Sequence, residues 1–364
     1  MSTASVFMEQ LARATTIMNF TLLMISFVPG SIGLVLNVFV FTRPSLRQQP
    51  CSIYFLGATF CNLYIVFVMI PVRISSGSFD TDPASFSNVI CKLQIFLLYV
   101  TRSLACWMIV LACIDRYVLS SATDLWRRRL SSPRAAKYAS GILTFIIVVV
   151  YSHMPFYFNI STVNIFGQAT PQCVAKMGTY RTFVNLWFAV LYSVIPTLLM
   201  LIFGLLTLIR IRRQRSRVAP MIIGNLSPQQ RKQNQLSRML SIQVLVIVLA
   251  TIFYPFFLAY LSITSGDIKD ARRAAIEKFV NLFVNGLTYV AHASSFYLYT
   301  LTGSIFRREV VKILPKCISI HPDQRGQNTT RSINRFLWRR TIRIFPQASV
   351  STGNPMRALN GSLH

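Results

Sequence analysis

The residues best suited to chemistry are a thiol, Cys91, and a charged triplet, Asp115-Arg116-Tyr117. Arg116 follows Cys91 by 25 residues, and the segment between them is mostly apolar. At about 1.5 Å per residue, a helix of that length spans about 37 Å, which is enough to cross a bilayer. The segment therefore predicts a membrane helix with a thiol at one face and an acid-base-aromatic group at the other.

Composition places this helix in a membrane protein. The chain has 364 residues, of which 53% are hydrophobic and only 13% are charged, too few polar residues to cover several soluble domains. Met1 to Ala14 lacks the features of a cleaved signal peptide, so the first span is expected to be its own signal anchor. The fold class predicted is an all-α membrane protein, a seven-transmembrane helix bundle. Its apolar spans lie at about 20–42, 51–74, 90–119, 136–158, 182–209, 237–263 and 277–301.

The net charge of +27 is distributed unevenly. The loops after spans one, three and five, together with the tail, carry 27 of the 37 Lys and Arg residues. The positive-inside rule puts that side in the cytoplasm and the N-terminus outside, at the plasma membrane. The basic clusters at 127–129, 210–217 and 335–343 attract either anionic lipid or a specific partner, and nucleic acid is not expected.

Further motifs carry a resemblance to a known family over residues 20 to 315. They are Gly33 with Asn37 in span one, Cys173 before span five, Pro196 and Pro255 in spans five and six, and Tyr299 followed by Phe306-Arg307. In this order, with Cys91 and Arg116, they resemble the rhodopsin-like (class A) G-protein-coupled receptors. The ending Ser295-Phe296-Tyr297-Leu298-Tyr299, with Gly303 after it, is loosely similar to invertebrate neuropeptide receptors of the FMRFamide type.

The resemblance implies a receptor for an extracellular ligand, most plausibly a neuropeptide, that activates heterotrimeric G proteins, with arrestin as a further partner. It implies a Cys91–Cys173 disulfide, and these are the only two of seven cysteines in predicted outer segments, where the compartment is oxidising. It assigns G-protein coupling to Asp115, Arg116 and Tyr117.

Several positions depart from the family pattern. Asn62 stands where the family has a sodium-binding aspartate, so the ion site is expected to be lost. Phe253 replaces a tryptophan two residues before Pro255, Ser295 begins a motif that lacks its proline and hence a helix bend, and Gln235 replaces the acid that often pairs with Arg116. The switch positions implied are Asn37, Asn62, Pro196, Phe253, Pro255, Ser295 and Tyr299.

Arg102 lies deep in span three, where an arginine costs about 2.5 to 3.5 kcal/mol on insertion scales. It precedes Arg116 by 14 residues, nearly the same helical face, so it is expected to point into the bundle. It either binds a ligand or serves as a structural hydrogen-bond hub with His292 or Asn285. The predicted ligand pocket consists of Arg73, Gln94, Tyr99, Arg102, Tyr192, Phe256, Phe257, Tyr260, Asn285 and Tyr289.

The predicted organisation is a short extracellular N-terminus (1–19), a receptor domain (20–302), an amphipathic surface helix (303–315) ended by Pro315, and a mobile cytoplasmic tail (316–364). Cys317 is a site for palmitoylation or a free thiol. Asn159 begins the better outer glycosylation sequon.

Three alternatives are a transporter or channel, a membrane enzyme, and a receptor-fold protein with unusual signalling. A small transporter or channel would show inverted repeats and paired membrane charges, which the chain does not show clearly. The histidines are scattered, at 153, 292, 321 and 364, so no catalytic cluster, metal site or cofactor is predicted. A receptor-fold protein with weak or heteromer-dependent signalling also remains open.

Overall fold

The computed structural model describes residues 3–78, 82–120, 131–165, 168–217, 228–267 and 269–318. These residues form a helical bundle and one β-hairpin. The helices are α1 (Thr3–Phe41), α2 (Pro44–Arg47), α3 (Pro50–Tyr64), α4 (Ile70–Ser78), α5 (Asn88–Leu119), α6 (Pro133–Tyr151), α7 (Met154–Tyr157), α8 (Thr179–Phe188), α9 (Ile195–Arg217), α10 (Pro228–Thr251), α11 (Phe253–Ile263), α12 (Ala271–Ala293), α13 (Ser295–Thr302) and α14 (Ser304–Ile318). The strands are β1 (Phe158–Ile165) and β2 (Gln168–Ala175).

Among the residues that the structure describes, six helical segments are long and apolar enough to cross a membrane. They are Val6–Phe41, Pro50–Gly77, Asn88–Leu119, Pro133–Tyr157, Thr179–Ile211 and Gln235–Gly266. The seventh predicted span corresponds to α12 and α13, which are separated at Ser294. The predicted seven-helix membrane bundle is thus confirmed.

The interruption at Ser294 differs from the expectation that losing the proline removes a bend. The Ser294 hydroxyl donates to the carbonyl oxygen of Ala291 (3.0 Å), and such back-bonding by serine bends helices. Asn37, buried in α1, holds the next residue by donating to the Ser295 hydroxyl (3.0 Å). The seventh span is therefore irregular without a proline.

The ends of the bundle also differ from the predicted boundaries. α1 begins at Thr3, so most of the segment 1–19 is helical, and α1 is about 58 Å long, well beyond the thickness of a bilayer core. α14 continues through Pro315 to Ile318. A proline there removes only the backbone bond to the Val311 carbonyl, in the helix's last turn. The residues after 318, predicted to be a mobile tail, lie outside the described chain.

α5 is the central helix and packs against α3, α6, α9 and α10. α1 packs closely against the seventh span. A Cβ atom added at Gly33 would lie 2.8 Å from the Cβ of Phe296, so this approach requires glycine.

Pro196 removes a backbone donor from the fifth span, and the structure replaces it. The turn Ala189–Val194 before it is π-helical, so residue 196 would ordinarily donate to the carbonyl of Leu191. Proline cannot, and the indole Nε1–H of Trp107 on α5 donates to that oxygen instead (2.8 Å).

Pro255 in the sixth span also frees a backbone carbonyl, and a side chain from a neighbouring helix bonds it. Its missing N–H would have bonded the carbonyl of Thr251, four residues earlier. The hydroxyl of Ser193 donates to that oxygen (3.1 Å), and the helix is interrupted at Ile252 between α10 and α11. Both freed carbonyls are satisfied by side chains from neighbouring helices, as an apolar surrounding requires.

The hairpin is tied to the start of α5. β1 and β2 are antiparallel, with Ile160 opposite Cys173, and the Ile160 amide donates to the Asn88 side chain (3.0 Å). A disulfide joins Cys91 to Cys173, with 5.5 Å between their Cα atoms, as the resemblance implied. We refer to this end of the bundle as the disulfide end and to the opposite one as the Arg116 end.

Candidate functional site

Arg102 lies inside the bundle, in its half nearer the disulfide end. Its side chain is 2% exposed. Its Nη2 donates to the Oδ1 of Asn285 (2.9 Å), and its guanidinium carbon stands 4.5 Å from the ring centroid of Tyr289. We call these three residues the Arg102 cluster. The bond to Asn285 is one that the hub hypothesis expects, and cation–π contact contributes further.

The Arg102 cluster has unused donors. Nε of Arg102, and Nε of Arg73 beside the cluster, have no hydrogen-bond partner among the described residues, while both guanidinium groups interact with the hydroxyl of Tyr289. No carboxylate forms a described ion pair with either arginine. Because a buried cation and its donors are costly when unpaired, the cluster favours an anionic or carbonyl-bearing occupant.

Aromatic side chains extend from the cluster toward the core. Tyr192 stacks on Phe188 with centroids 4.7 Å apart, and Tyr99 contacts Phe188 at 4.4 Å. Tyr99 also contacts Phe158 of the hairpin at 6.3 Å. Gln94, half-buried, lies two turns before Arg102 on α5.

The sixth span corrects two sequence predictions. Phe253 and Phe256 are 60% and 71% exposed, so they lie on the outward face of α11. Thr251, Tyr254 and Leu258 are buried instead, at spacings of three and four residues. Helical periodicity explains this arrangement, because residues 253 and 256 stand 100° and 200° from residue 254.

Tyr254 is thus the inward aromatic residue beside the cluster, and the sequence analysis missed it. Its ring packs edge-on against Phe188 (6.0 Å) and Tyr192 (6.1 Å). Because residues 252–258 are apolar or aromatic throughout, the sequence carries no periodic signal that could have identified it.

Tyr260 belongs to a closed polar network at the rim of the disulfide end. Its hydroxyl donates to the carboxylate of Glu277 (2.8 Å), which also pairs with Lys269 (2.5 Å) and Arg273 (3.2 Å). Phe257 contacts the Tyr260 ring at 6.1 Å. The network joins α11 to α12, and its acid is already neutralised by its own bases.

A histidine fills the region where the ion site was expected to be lost. Nδ1 of His292 bonds the Oδ1 of Asn62 (2.9 Å), and its Nε2 bonds the hydroxyl of Tyr192 (3.3 Å). They line a small cavity with Gln243 and Thr251, and its described lining contains no carboxylate. Sequence reasoning named His292 only as a partner for Arg102, whereas the structure pairs it with Asn62.

The charged triplet lies at the Arg116 end. The Arg116 side chain is 1% exposed, and its Nε and Nη2 donate to Oδ2 of Asp115 at 3.1 and 2.6 Å. Oδ1 of Asp115 accepts from Ser131 (2.6 Å). Tyr117 accepts from Nη2 of Arg210 (2.8 Å), whose guanidinium carbon lies 4.1 Å from the Tyr117 ring centroid.

α10 is fastened to the seventh span and α14, and Arg116 is not part of this contact. The hydroxyl of Tyr299 donates to Gln243 (2.5 Å), and Arg238 donates to the carbonyl of Thr302. Gln235, which replaces the family's acid, accepts from Ser304 (3.1 Å). We call these three hydrogen bonds the α10 fastening.

The predicted modification sites have different surroundings. Asn159 is exposed on β1. Cys317 lies within α14, and its side chain is outside the described part of the structure.

Phe306 is buried against Phe41, with ring centroids 5.5 Å apart. Across the described ranges, His, Cys, Asp and Glu side chains nowhere gather in threes as metal ligands.

Comparison with known families gives one match. The family model described as 7 transmembrane receptor (rhodopsin family) matches residues 33–297, which is well over half of the chain. The matched region begins at Gly33 and includes the disulfide, the charged triplet and the Arg102 cluster. Among curated proteins, none matches the chain significantly.

Proposed function

Because this chain belongs to the rhodopsin family of seven-transmembrane receptors, we propose that it binds an extracellular ligand at the disulfide end and activates a heterotrimeric G protein at the Arg116 end. Family membership makes it a receptor and multi-pass membrane protein, not an enzyme, and argues against the transporter or channel alternative. The observation that carries the proposal is one central helix, α5, with one buried arginine, Arg102, at its middle and another, Arg116, near its last turn.

The proposed orientation puts the disulfide end outside the cell, at the plasma membrane. The charge asymmetry supports it, since 27 of 37 basic residues belong to the Arg116 side. A Cys91–Cys173 bond suits an oxidising compartment, and Asn159 is exposed on the hairpin for glycosylation.

The proposed ligand is a short neuropeptide that carries an acidic or carbonyl group. The unused N–H groups of Arg102 and Arg73 would donate to that group. Hydrogen bonds from ionised donors are stronger than those between neutral groups. Tyr99, Tyr192 and Tyr254 would pack against the apolar part of the ligand.

At the Arg116 end, the proposal assigns G-protein contact to Asp115, Arg116 and Tyr117. Asp115 now holds the Arg116 guanidinium, and opening of α10 would uncover Arg116 for contact with the C-terminal end of a G-protein helix. Arrestin would use the same opened surface.

A ligand screen with G-protein dissociation as readout tests the proposal, using neuropeptides and small metabolites. Once an acidic agonist is found, Arg102→Gln should weaken it by at least about 1.5 kcal/mol, the lower range for a charge-assisted hydrogen bond. Arg272→Gln is the matched control, because it removes the same charge from an exposed residue at the same end. Unchanged potency of Arg102→Gln at equal surface expression would return Arg102 to a structural role.

A receptor-fold protein with weak or heteromer-dependent signalling is the second candidate. The α10 fastening favours it, because three hydrogen bonds hold the sixth span where family receptors open. Ligand-free nucleotide exchange in a reconstituted membrane separates the two: an ordinary receptor shows measurable basal exchange, and the second candidate shows none until a partner receptor is added.

A further inference from the structure

The small cavity beside His292 is lined by residues from five spans. Its walls come from α3, α5, the π-helical turn of the fifth span, α10 and α12. Two of the lining residues carry carboxamide side chains, Asn62 on α3 and Gln243 on α10, and they are only 5% and 4% exposed. We call this space the His292 cavity.

The oxygen atoms of both carboxamides are already bonded. Nδ1–H of His292 donates to Oδ1 of Asn62 (2.9 Å), and the hydroxyl of Tyr299 donates to Oε1 of Gln243 (2.5 Å). These are the hydrogen bonds described for the two side chains, and neither engages an amide nitrogen. Each NH₂ group has two N–H donors, so both groups are available to an occupant of the cavity.

A positive charge without a counter-charge lies next to the cavity. Arg102 precedes Cys106, a lining residue, by four positions, which is about 6 Å along α5. Its described contacts are with Asn285 and Tyr289, which are not acids, and the described lining of the cavity holds no carboxylate. In an interior of low dielectric constant, this charge favours an anion over a neutral water molecule.

The size of the cavity decides which anion fits. Its volume is about 20 Å³, which is room for one particle slightly larger than a water molecule. Phosphate and carboxylate groups, with several oxygen atoms each, are too large for this space. A monatomic anion such as chloride is small enough and only accepts hydrogen bonds, so it matches two NH₂ groups.

We propose that the His292 cavity binds one chloride ion. The amide N–H groups of Asn62 and Gln243 donate to the ion, and the positive charge of Arg102 stabilises it from one turn away along α5. The bound ion joins α3 to α10, because one amide belongs to each helix. The site uses residues of the chain alone, so it does not depend on the proposed ligand or on G-protein coupling.

Chloride binding is measured with the purified full chain in phosphatidylcholine nanodiscs, without agonist or G protein, from the broadening of the chloride NMR signal. Bromide, a monatomic anion of similar size, should compete and remove the broadening. Gluconate, which is much larger than the cavity, should not compete. Sodium and potassium salts of chloride should give the same result, because the site holds the anion.

Two cavity variants replace an amide NH₂ group by a carboxylate oxygen. Asn62→Asp keeps the oxygen that accepts from His292, and Gln243→Glu keeps the one that accepts from Tyr299. Each should weaken chloride binding at least tenfold, because it loses a hydrogen bond to an ion and adds a like charge. Asn88→Asp is the matched control: it makes the same change at an exposed residue and keeps the acceptor for the Ile160 amide, so chloride binding should not change.

Thermal unfolding at matched ionic strength gives a second readout. Chloride in place of gluconate should raise the melting temperature of the unmutated protein and of Asn88→Asp, and leave that of the two cavity variants unchanged. The proposal is overturned by an absence of broadening with the unmutated protein, by gluconate competing as well as bromide, or by equal chloride binding in the cavity variants. If a cavity variant does not fold, the competition between anions on the unmutated protein decides.

Discussion

Removal of the Trp107 indole N–H tests how the bundle tolerates Pro196. Trp107→Phe leaves the Leu191 carbonyl without a donor, because the proline cannot supply one. In the background Pro196→Ala, residue 196 regains a backbone N–H that can reach the same oxygen across the π-helical turn. Trp107→Phe should therefore lower the free energy of unfolding more when Pro196 is present than in the Pro196→Ala background.

The magnitude follows from the surroundings of that oxygen. Leaving a buried acceptor unpaired costs about 1 to 3 kcal/mol. Hydrogen bonds between membrane helices contribute less on average, about 0.6 and at most about 1.7 kcal/mol, because the unfolded chain in a membrane also finds partners. We expect a coupling energy of about 1 kcal/mol between positions 107 and 196. The loss of ring volume in Trp107→Phe is common to both backgrounds and cancels in the cycle.

The four variants are unfolded with sodium dodecyl sulfate in mixed micelles, and the free energy of unfolding is measured for each. Cys51, Cys61, Cys106 and Cys113 are buried and free, so a thiol-reactive fluorophore reports unfolding. A Ser193→Ala and Pro255→Ala cycle should couple similarly, since the Ser193 hydroxyl caps the carbonyl that Pro255 frees. If Trp107→Phe costs the same free energy in both backgrounds, the indole does not replace the missing backbone donor and the reasoning fails.

Three further predictions concern G-protein coupling, sodium sensitivity and the stability that the disulfide contributes. Arg116→Ala should abolish G-protein coupling while agonist still binds, because Arg116 is far from the Arg102 cluster; a variant that binds and signals normally contradicts the proposed mechanism. Agonist affinity should not respond to sodium at matched ionic strength, because Asn62 and its cavity offer no carboxylate, and a reproducible tenfold sodium-specific drop would indicate another ion site. Replacing Cys91 and Cys173 together by serine should cost roughly 2 to 4 kcal/mol, read as a lower melting temperature, and unchanged melting would show that the bridge adds no stability.

The sequence predicted the parts of the structure that depend on composition and on long apolar runs. The membrane spans and the burial of Arg102 follow from the cost of exposing polar groups to lipid. The bridge to Cys173 was implied by the family resemblance and by the oxidising outer compartment. Side-chain direction on α11 was harder to predict. Alignment on Pro255 assigned the inward position to Phe253, whereas the helical rotation in this chain buries Tyr254.

Partners that lie far apart in sequence were the least predictable. Gln235 was expected opposite Arg116 but bonds Ser304. Of the two partners expected for Arg102, Asn285 bonds it, whereas His292 bonds Asn62. A single sequence specifies which helices are amphipathic, yet it does not specify how far each is rotated. A rotation of one residue moves a side chain by 100°, enough to exchange one partner for another.

The sixth span is the element best suited to connect the two ends under the proposed function. Its backbone is interrupted at Ile252, where the Thr251 carbonyl is held by Ser193 of the fifth span. Toward the Arg116 end, Gln243 is held by Tyr299, and toward the disulfide end Tyr254 lies against Tyr192. A ligand that moved Tyr254 would act on α11 directly, whereas α10 would stay fastened until its bonds to the seventh span broke. Coupling therefore requires both events, because a shift at one end alone leaves the other set of contacts in place.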